Sequence, residues 1–556
     1  MILTPITLWK DFDGSLPLNE QTVWEERSDG VVSRGVRFDG RQTETGRIKI
    51  YAEYFYPADV KEFPAVMFLF EAGFAFDRAL VMRFVQSGYG VLCVDYCGES
   101  EHSHFTVYPA DVDYANFVRA GQHLVYAEPS AKETSWYEWA GVARYAARYL
   151  NERPEVTAVG AVGLRTGGEI LFKIAPYAPI SCMTSVCAAG WLAYRGLDKF
   201  SDEQMGVFSE ERHRFIAGID SQSYAPYVKC PVLLISAIND SKHDYDRVYD
   251  TFQKINPEVE KAILYSAHGN GLVGSHSLIN MKLFLDKYLK GRSVFVSKPI
   301  KLEFTEDENG NLACRGLYDS SGEIAEYGIC FTEKATDLKS RDWTRILGTS
   351  PLKENVGVIP LSLFTGTQKA LVYTFVNYTN NFSVTSKIKE VTQEKPYANS
   401  GPVSRVLYTS ADGLNGFAAF RPRTRSLADC FVEGEESRAK LIAGYGGILG
   451  ITSESGIISY RVGEPRYEPP EGASFSFDAY CPADAKVRVT FFNDSEESEG
   501  YSDEAKIEGK GKWKRIIMNA DDFKSESGAH LSSFKNVVAV LFSFDGEVLI
   551  NHVLWI

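Results

Sequence analysis

Residues 156–175 read VTAVGAVGLRTGGEILFKIA. The first nine are apolar, small or β-branched with no alternation, the mark of a strand covered on both faces. The last seven, EILFKIA, place apolar residues at helical spacing. Between them Gly163, Gly167 and Gly168 bracket a short turn. Glycines suit a junction where strand, turn and helix backbones pass too closely for a Cβ. The spacing predicts a strand, a sharp elbow over 163–168 and a helix, with Arg165 at the apex.

Working outward, the same texture repeats. Residues 31–56 hold two alternating runs, VVSRGVRF and RIKIYAEYFY, which predict an antiparallel hairpin. PAVMFLF (64–70), GYGVLCVDY (88–96), ISCMTSVCAAG (180–190), CPVLLISAIND (230–240) and KAILYSAH (261–268) are further buried-strand runs. Helical stretches fall between them, at 77–87 and 135–152, and a last one, LINMKLFLDKYL, covers 278–289. Strand and helix in alternation predict a doubly wound, mostly parallel sheet.

Near residue 296 the helical periodicity stops. Short alternating runs separated by Asp, Asn, Gly and Ser predict a β-sandwich, and the polar stretch TQEKPYANSGPVS (392–404) reads as a linker. Beyond it, runs such as SFSFDAYC, KVRVTFF and VVAVLFSFD predict a β jelly roll. The expected organisation is three domains: 1–295, 296–393 and 394–556.

Two further residues complete a pattern around the elbow. Asp240 closes one buried strand, and His268 closes the next and is followed by Gly-Asn-Gly. Alone, Asp240 reads as a strand-end turn former or helix N-cap, and His268 as a loop histidine. Behind an elbow, in the order apex, acid, histidine, they match the layout of a nucleophile-elbow hydrolase. With GYGVLCVDYCGES (88–100), where Cys97 stands in place of a usual arginine, residues 31–292 resemble the α/β-hydrolase superfamily. The likeness is to its dienelactone-hydrolase and acetyl-xylan-esterase-like branches. It implies inherited triad positions at Asp240 and His268, Arg165 in place of the nucleophile, and oxyanion-loop positions at Thr166 and Phe74. Arginine cannot accept an acyl group, because its guanidinium stays protonated. Of the residues that could substitute, Cys97 and Ser100 lie after a neighbouring strand, Thr166 is expected to point away from the histidine, and Ser266 faces the same side as His268 but lacks an elbow. The loop after PAVMFLF carries Glu71 where active relatives have a glycine-rich oxyanion loop, and a carboxylate there repels an oxyanion. Glu71 is therefore the expected partner of Arg165 in a bidentate pair, with Asp240 kept by His268.

The C-terminal stretch GKGKWKRIIMNADDF, with the closing VLINHVLWI, resembles carbohydrate-binding modules of the jelly-roll type. Tyr480, Tyr501 and Trp513 are the candidate sugar-stacking residues. The chain has 556 residues, 44% apolar and 24% charged, with net charge −14. That balance argues against a nucleic-acid partner. No apolar run is of spanning length, and no signal peptide is legible, so a cytoplasmic protein is expected, a trimmed secreted one not being excluded. Nine cysteines without CxxC spacing argue against metal, and no cofactor is expected. The leading expectation is an inactive (pseudoenzyme) member that binds a glycan or acylated ligand. The alternatives are a carbohydrate or lipid esterase with an unconventional nucleophile, and an interaction scaffold.

Overall fold

The structure is a computed structural model, and the residues it describes are 2–98, 104–201, 208–240, 242–266, 275–420, 439–494, 498–509 and 511–556. The apolar runs of the first half become neighbouring strands. They are β1 (Gln21–Ser28), β2 (Val31–Gln42), β3 (Arg47–Pro57), β4 (Phe63–Leu69), β5 (Gly90–Asp95), β6 (Val156–Leu164), β7 (Cys182–Val186), β8 (Val232–Ala237) and β9 (Lys261–Ser266). They lie side by side in the order β1-β2-β3-β5-β4-β6-β7-β8-β9. β1, β2 and β3 are antiparallel, β3 meets β5 antiparallel, and every pairing from β5 to β9 is parallel. This is the doubly wound, mostly parallel sheet that the sequence predicts. β1 was not legible in the sequence: QTVWEERS is an edge strand with no buried residue, so it carries no apolar alternation.

Each face of the sheet is covered, which is why its central strands read as unbroken apolar runs. Helices Ser135–Asn151, Thr166–Ile174 and Val248–Lys254 cover one face through Trp139, Leu171 and Phe252. Helices Arg78–Gln86 and Ser275–Lys290 cover the other through Phe84, Met281 and Phe284. Each fully buried side chain of this size stabilises by roughly 1.5–3 kcal/mol.

Two sheets follow. One holds Lys301–Glu306, Leu312–Leu317 and Val356–Pro360; the other is built on Ile324–Thr332 and Lys369–Tyr378. They do not form a separate core. Leu302, Cys314, Ile359 and Val372 share one apolar cluster with Phe284 and Leu289 of the last helix. Tyr373 and Phe375 join the cluster on the other face, and the Tyr265 N–H of β9 donates to Thr385 Oγ1 at 3.1 Å. The stretch expected as a linker is also tied down. Asn399 Nδ2 donates to the Leu312 and Leu361 carbonyls at 3.0 and 3.1 Å, and Gln393 Nε2 to those of Phe364 and Thr367 at 2.9 and 2.8 Å. Its polar side chains complete strand ends, which a composition reading mistakes for solvent exposure.

The last β-rich region has two sheets over one core of Phe475, Phe477, Val489, Phe491, Phe542 and Trp555. It is joined to the preceding sheets by buried polar contacts. Glu464 accepts the Thr332 hydroxyl at 2.7 Å and the Glu333 and Asp342 N–H groups at 2.8 Å each.

Candidate functional site

The elbow forms as the glycines require. Arg165 follows β6 at φ 49° and ψ −111°, a region that side chains rarely enter, and Thr166 opens the next helix. A Cβ on Gly167 would lie 2.0 Å from the Leu69 carbonyl oxygen, and one on Gly163 2.5 Å from the Gly167 carbonyl. Substitution at either would force strand and helix apart. The Arg165 N–H donates to the Val186 carbonyl at 2.8 Å, anchoring the apex to β7.

The Arg165 side chain turns toward the acid position. Nη1 donates to Asp240 Oδ1 at 3.0 Å, and Nη2 lies 2.9 Å from Oδ2 as an ionic contact. Nε lies 3.5 Å from Glu71 Oε2. Thus Asp240, not Glu71, is the principal partner, and the expected bidentate Glu71 pair does not form. The reason is burial. The Asp240 side chain is 1% exposed against 15% for Glu71. A fully buried carboxylate costs far more unpaired than one that keeps some water. The Lys242 N–H, at 2.9 Å from Oδ1, fixes Asp240 further. His268, expected to hold Asp240, lies outside the described residues, as does Ser100.

Burial works against the Arg165 charge, but its neighbours, the Asp240 carboxylate foremost and Glu71 among the rest, outweigh it, so the guanidinium holds its proton above its ordinary range. Burial pushes the Glu71 carboxyl up, with Arg165 and Lys242 opposing.

The N–H groups of the loop after β4 are spent internally. The Ala72 N–H donates to Thr166 Oγ1 at 2.7 Å, Gly73 N–H to Cys97 Sγ at 3.3 Å and Phe74 N–H to the Glu71 carbonyl at 3.3 Å. The Thr166 hydroxyl is also bonded to Tyr96 at 2.7 Å. So Thr166 and Phe74 are brought near the elbow, yet the Thr166 hydroxyl and the Phe74 N–H serve to lock the loop. Cys97 is poorly placed to serve as a nucleophile: it is 5% exposed, and burial pushes its thiol well up, away from the reactive thiolate. Ser266 is likewise buried at the end of β9.

One histidine near the site escaped the sequence reading. His243 follows the acid turn, is buried, and lies 3.3 Å from Ser236 Oγ through Nε2. Burial pushes its pKa down to about 4, with Asp240 opposing and Arg165 assisting, so the ring is neutral at neutral pH. Its only signal was position, three residues after Asp240, which any loop histidine shares.

His243 and Glu169, one helical turn after Arg165, line a cleft of about 610 Å3. Its opposite wall is the loop Thr336–Lys339, from the β-rich region after the sheet. That loop is anchored by Arg341, whose guanidinium meets Asp246 at 2.7 and 2.8 Å. Among the described residues no group of three or more His, Cys, Asp or Glu is placed to hold a metal ion. No described helix is long and apolar enough to cross a membrane.

The candidate sugar-stacking residues divide. The Tyr480 and Trp513 rings lie 5.6 Å apart, both half-buried, and Trp513 Nε1 donates to the Tyr445 carbonyl at 3.2 Å. Tyr501 belongs to the other sheet, paired with Phe491, and packs against the core.

No protein-family model matches the chain, and no curated protein matches it. Among solved structures, an acetyl xylan esterase from Paenibacillus sp. R4 is 14% identical, covering 51% of this chain and 92% of its own, with TM-score 0.39. Acetyl xylan esterase 1 from Thermoanaerobacterium sp. JW/SL YS485 is 16% identical, covering 46% and 85%, with TM-score 0.36. A dienelactone-hydrolase-like promiscuous phosphotriesterase from metagenomic libraries is 17% identical, covering 43% and 82%, with TM-score 0.27.

Proposed function

We propose that this chain is a non-hydrolytic protein on an α/β-hydrolase-like sheet, acting by binding a glycan or an acylated ligand. One observation carries the reading: the side chain at the elbow apex is an arginine ion-paired with Asp240, the residue at the acid position. An apex guanidinium cannot attack an ester, and an acid committed to it is not free to orient a base. The spent N–H groups of Ala72, Gly73 and Phe74 support the same reading, since acyl transfer needs donors aimed at a developing oxyanion. The division at 1–295, 296–393 and 394–556 remains the proposed organisation, with the first two regions sharing apolar clusters and the last as a jelly roll.

The test is labelling of the full chain with a fluorophosphonate probe alongside turnover of short p-nitrophenyl esters. Neither signal should exceed that of the heat-denatured chain. Saturable turnover lost in His268→Ala would establish the rival reading, an esterase with an unconventional nucleophile.

A glycan role for residues 394–556 draws support from the Tyr480–Trp513 pair beside Tyr445, which is 57% exposed. A glycan array with the full chain and with Trp513→Ala tests it. Glycan signals that are absent, or unchanged by the substitution, leave this region a structural role.

A further inference from the structure

The cleft beside the elbow carries a charge pattern that the elbow does not explain. Its volume, about 610 Å3, lies within the range of small-molecule sites. Trp191, Leu192 and Leu197 give one side an apolar wall, and Leu338 faces it from the anchored loop. The anchor is deep: besides the Arg341–Asp246 pair, Tyr245 donates to the Leu338 carbonyl at 2.9 Å and Asn239 to that of Arg341 at 2.8 Å. The wall is therefore fixed before any ligand arrives, which lowers the ordering cost of binding.

Four carboxylates line the cleft, and each is engaged by the fold. Glu169 accepts the Ala189 N–H at 2.6 Å and the Ser221 hydroxyl, with the Lys173 ammonium near enough to interact. Asp244 pairs with Arg247, Asp337 pairs with Lys334 at 3.0 Å, and Asp198 accepts the Asp337 N–H at 3.2 Å. The cations are treated differently. The side chains of Arg195, Lys242 and Lys339 line the same cleft and make no hydrogen bond or ion pair with any described residue. Among the described residues, Asp198 alone of the four carboxylates has no cation paired or interacting with it. The unpaired groups thus leave an excess of positive charge in a chain of net charge −14. Low-dielectric walls concentrate that field within the concavity.

We propose that this cleft binds an organic anion, its carboxylate, sulfate or sulfonate group held by Lys242, Lys339 and Arg195 and its ring or chain laid against Trp191 and the leucines. This rests on the binding reading above and gives it a site and a ligand chemistry.

The test uses two fluorescent probes with nearly the same aromatic body. 8-Anilinonaphthalene-1-sulfonate carries an anionic group, and N-phenyl-1-naphthylamine does not. Titrated into the full chain, the sulfonate should saturate at a single site and bind more tightly than the neutral amine. The double variant Lys242→Ala, Lys339→Ala should weaken the sulfonate by about tenfold while leaving the amine unchanged. A matched control, Lys10→Ala with Lys61→Ala, both exposed and outside the cleft lining, should change neither. Circular dichroism and Tm of each variant verify folding. Lys242→Gln with Lys339→Gln serves as a second pair and should weaken the sulfonate likewise. Equal affinity for the two probes, or sulfonate binding unaffected by both lysine pairs, overturns the proposal. Fluorophosphonate labelling reads hydrolysis separately, so failure of the anion site and failure of the non-hydrolytic reading give different results.

Discussion

The Arg165 guanidinium meets the Asp240 carboxylate at 2.9 and 3.0 Å, joining the ends of β6 and β8 across β7. Glu71 stands farther off, at 3.5 Å and more exposed. Removing one partner of a buried pair leaves an uncompensated charge, whereas losing a partly hydrated neighbour costs little. Asp240→Ala should therefore destabilise the chain by about 3 kcal/mol, and Glu71→Ala by about 1 kcal/mol or less. Urea unfolding of both variants checks the ranking. A larger loss for Glu71→Ala would mean that the loop carboxylate, not the strand-end one, carries the pair.

Restoring a serine at the apex should not restore an esterase. In Arg165→Ser the Ala72 N–H still has Thr166 Oγ1 as its acceptor, and the Gly73 and Phe74 N–H groups still face inward. Loss of one oxyanion donor alone costs about 10²–10³ in kcat. Turnover of p-nitrophenyl acetate by Arg165→Ser should match that of the unaltered chain. A burst of nitrophenol followed by steady turnover would show that the donors reorganise and that the apex residue alone had silenced the site.

The pattern in the sequence reached the sheet and the elbow, because both are local. β4 through β9 announced themselves as short apolar runs, and the glycines around Arg165 marked the turn that the close approach to Leu69 demands. What it missed depends on distant partners. The choice of Asp240 over Glu71 follows from burial, which no spacing reveals. Arg341 looked like an ordinary loop residue, yet it is fully buried against Asp246, some ninety-five positions away in the chain. Gln393 and Asn399 read as linker composition because their work is to cap strands far earlier in sequence.

His243 should make the chain sensitive to acid. Its folded pKa, about 4, lies below the ordinary 6.5 because burial disfavours the charged ring. Above pH 6.5 the ring is neutral in both states, and its contribution is intact. As pH falls from about 6.5 toward 4 the unfolded chain takes up a proton that the folded one does not, so stability declines across that window. The variant His243→Gln should lose less stability between pH 7 and pH 5 than the unaltered chain, as followed by the urea midpoint. Comparing the two removes the opposite trend of Glu464, whose folded pKa of about 7, raised by burial and then Asp342, favours the folded state at lower pH. Parallel midpoint curves for the two proteins would show that His243 gains its proton in the folded state as readily as in the unfolded one.

The last β-rich region should unfold together with the rest of the chain, and Arg461 is the residue on which that coupling turns. It is 3% exposed. Its Nε lies 3.4 Å from Asp342 of the preceding sheets, while Nη1 lies 3.3 Å from Asp412 and donates to the Leu407 carbonyl at 2.7 Å within its own region. Arg466 reinforces the junction through Glu333 at 2.9 Å. Both ends of the contact are buried charges, so each region alone would expose carboxylates and guanidiniums that now neutralise one another. Replacing Arg461 by alanine leaves Asp342 beside Glu464 without its cation, a loss on the order of 3 kcal/mol. Part of that loss falls on the junction, since Asp342 belongs to the preceding sheets. Calorimetry should accordingly show one transition for the unaltered chain and two for Arg461→Ala, with the lower assigned to residues beyond 404 by limited proteolysis. A single transition in both, merely shifted, would mean that apolar contacts hold the regions together and that the buried ion pairs are incidental.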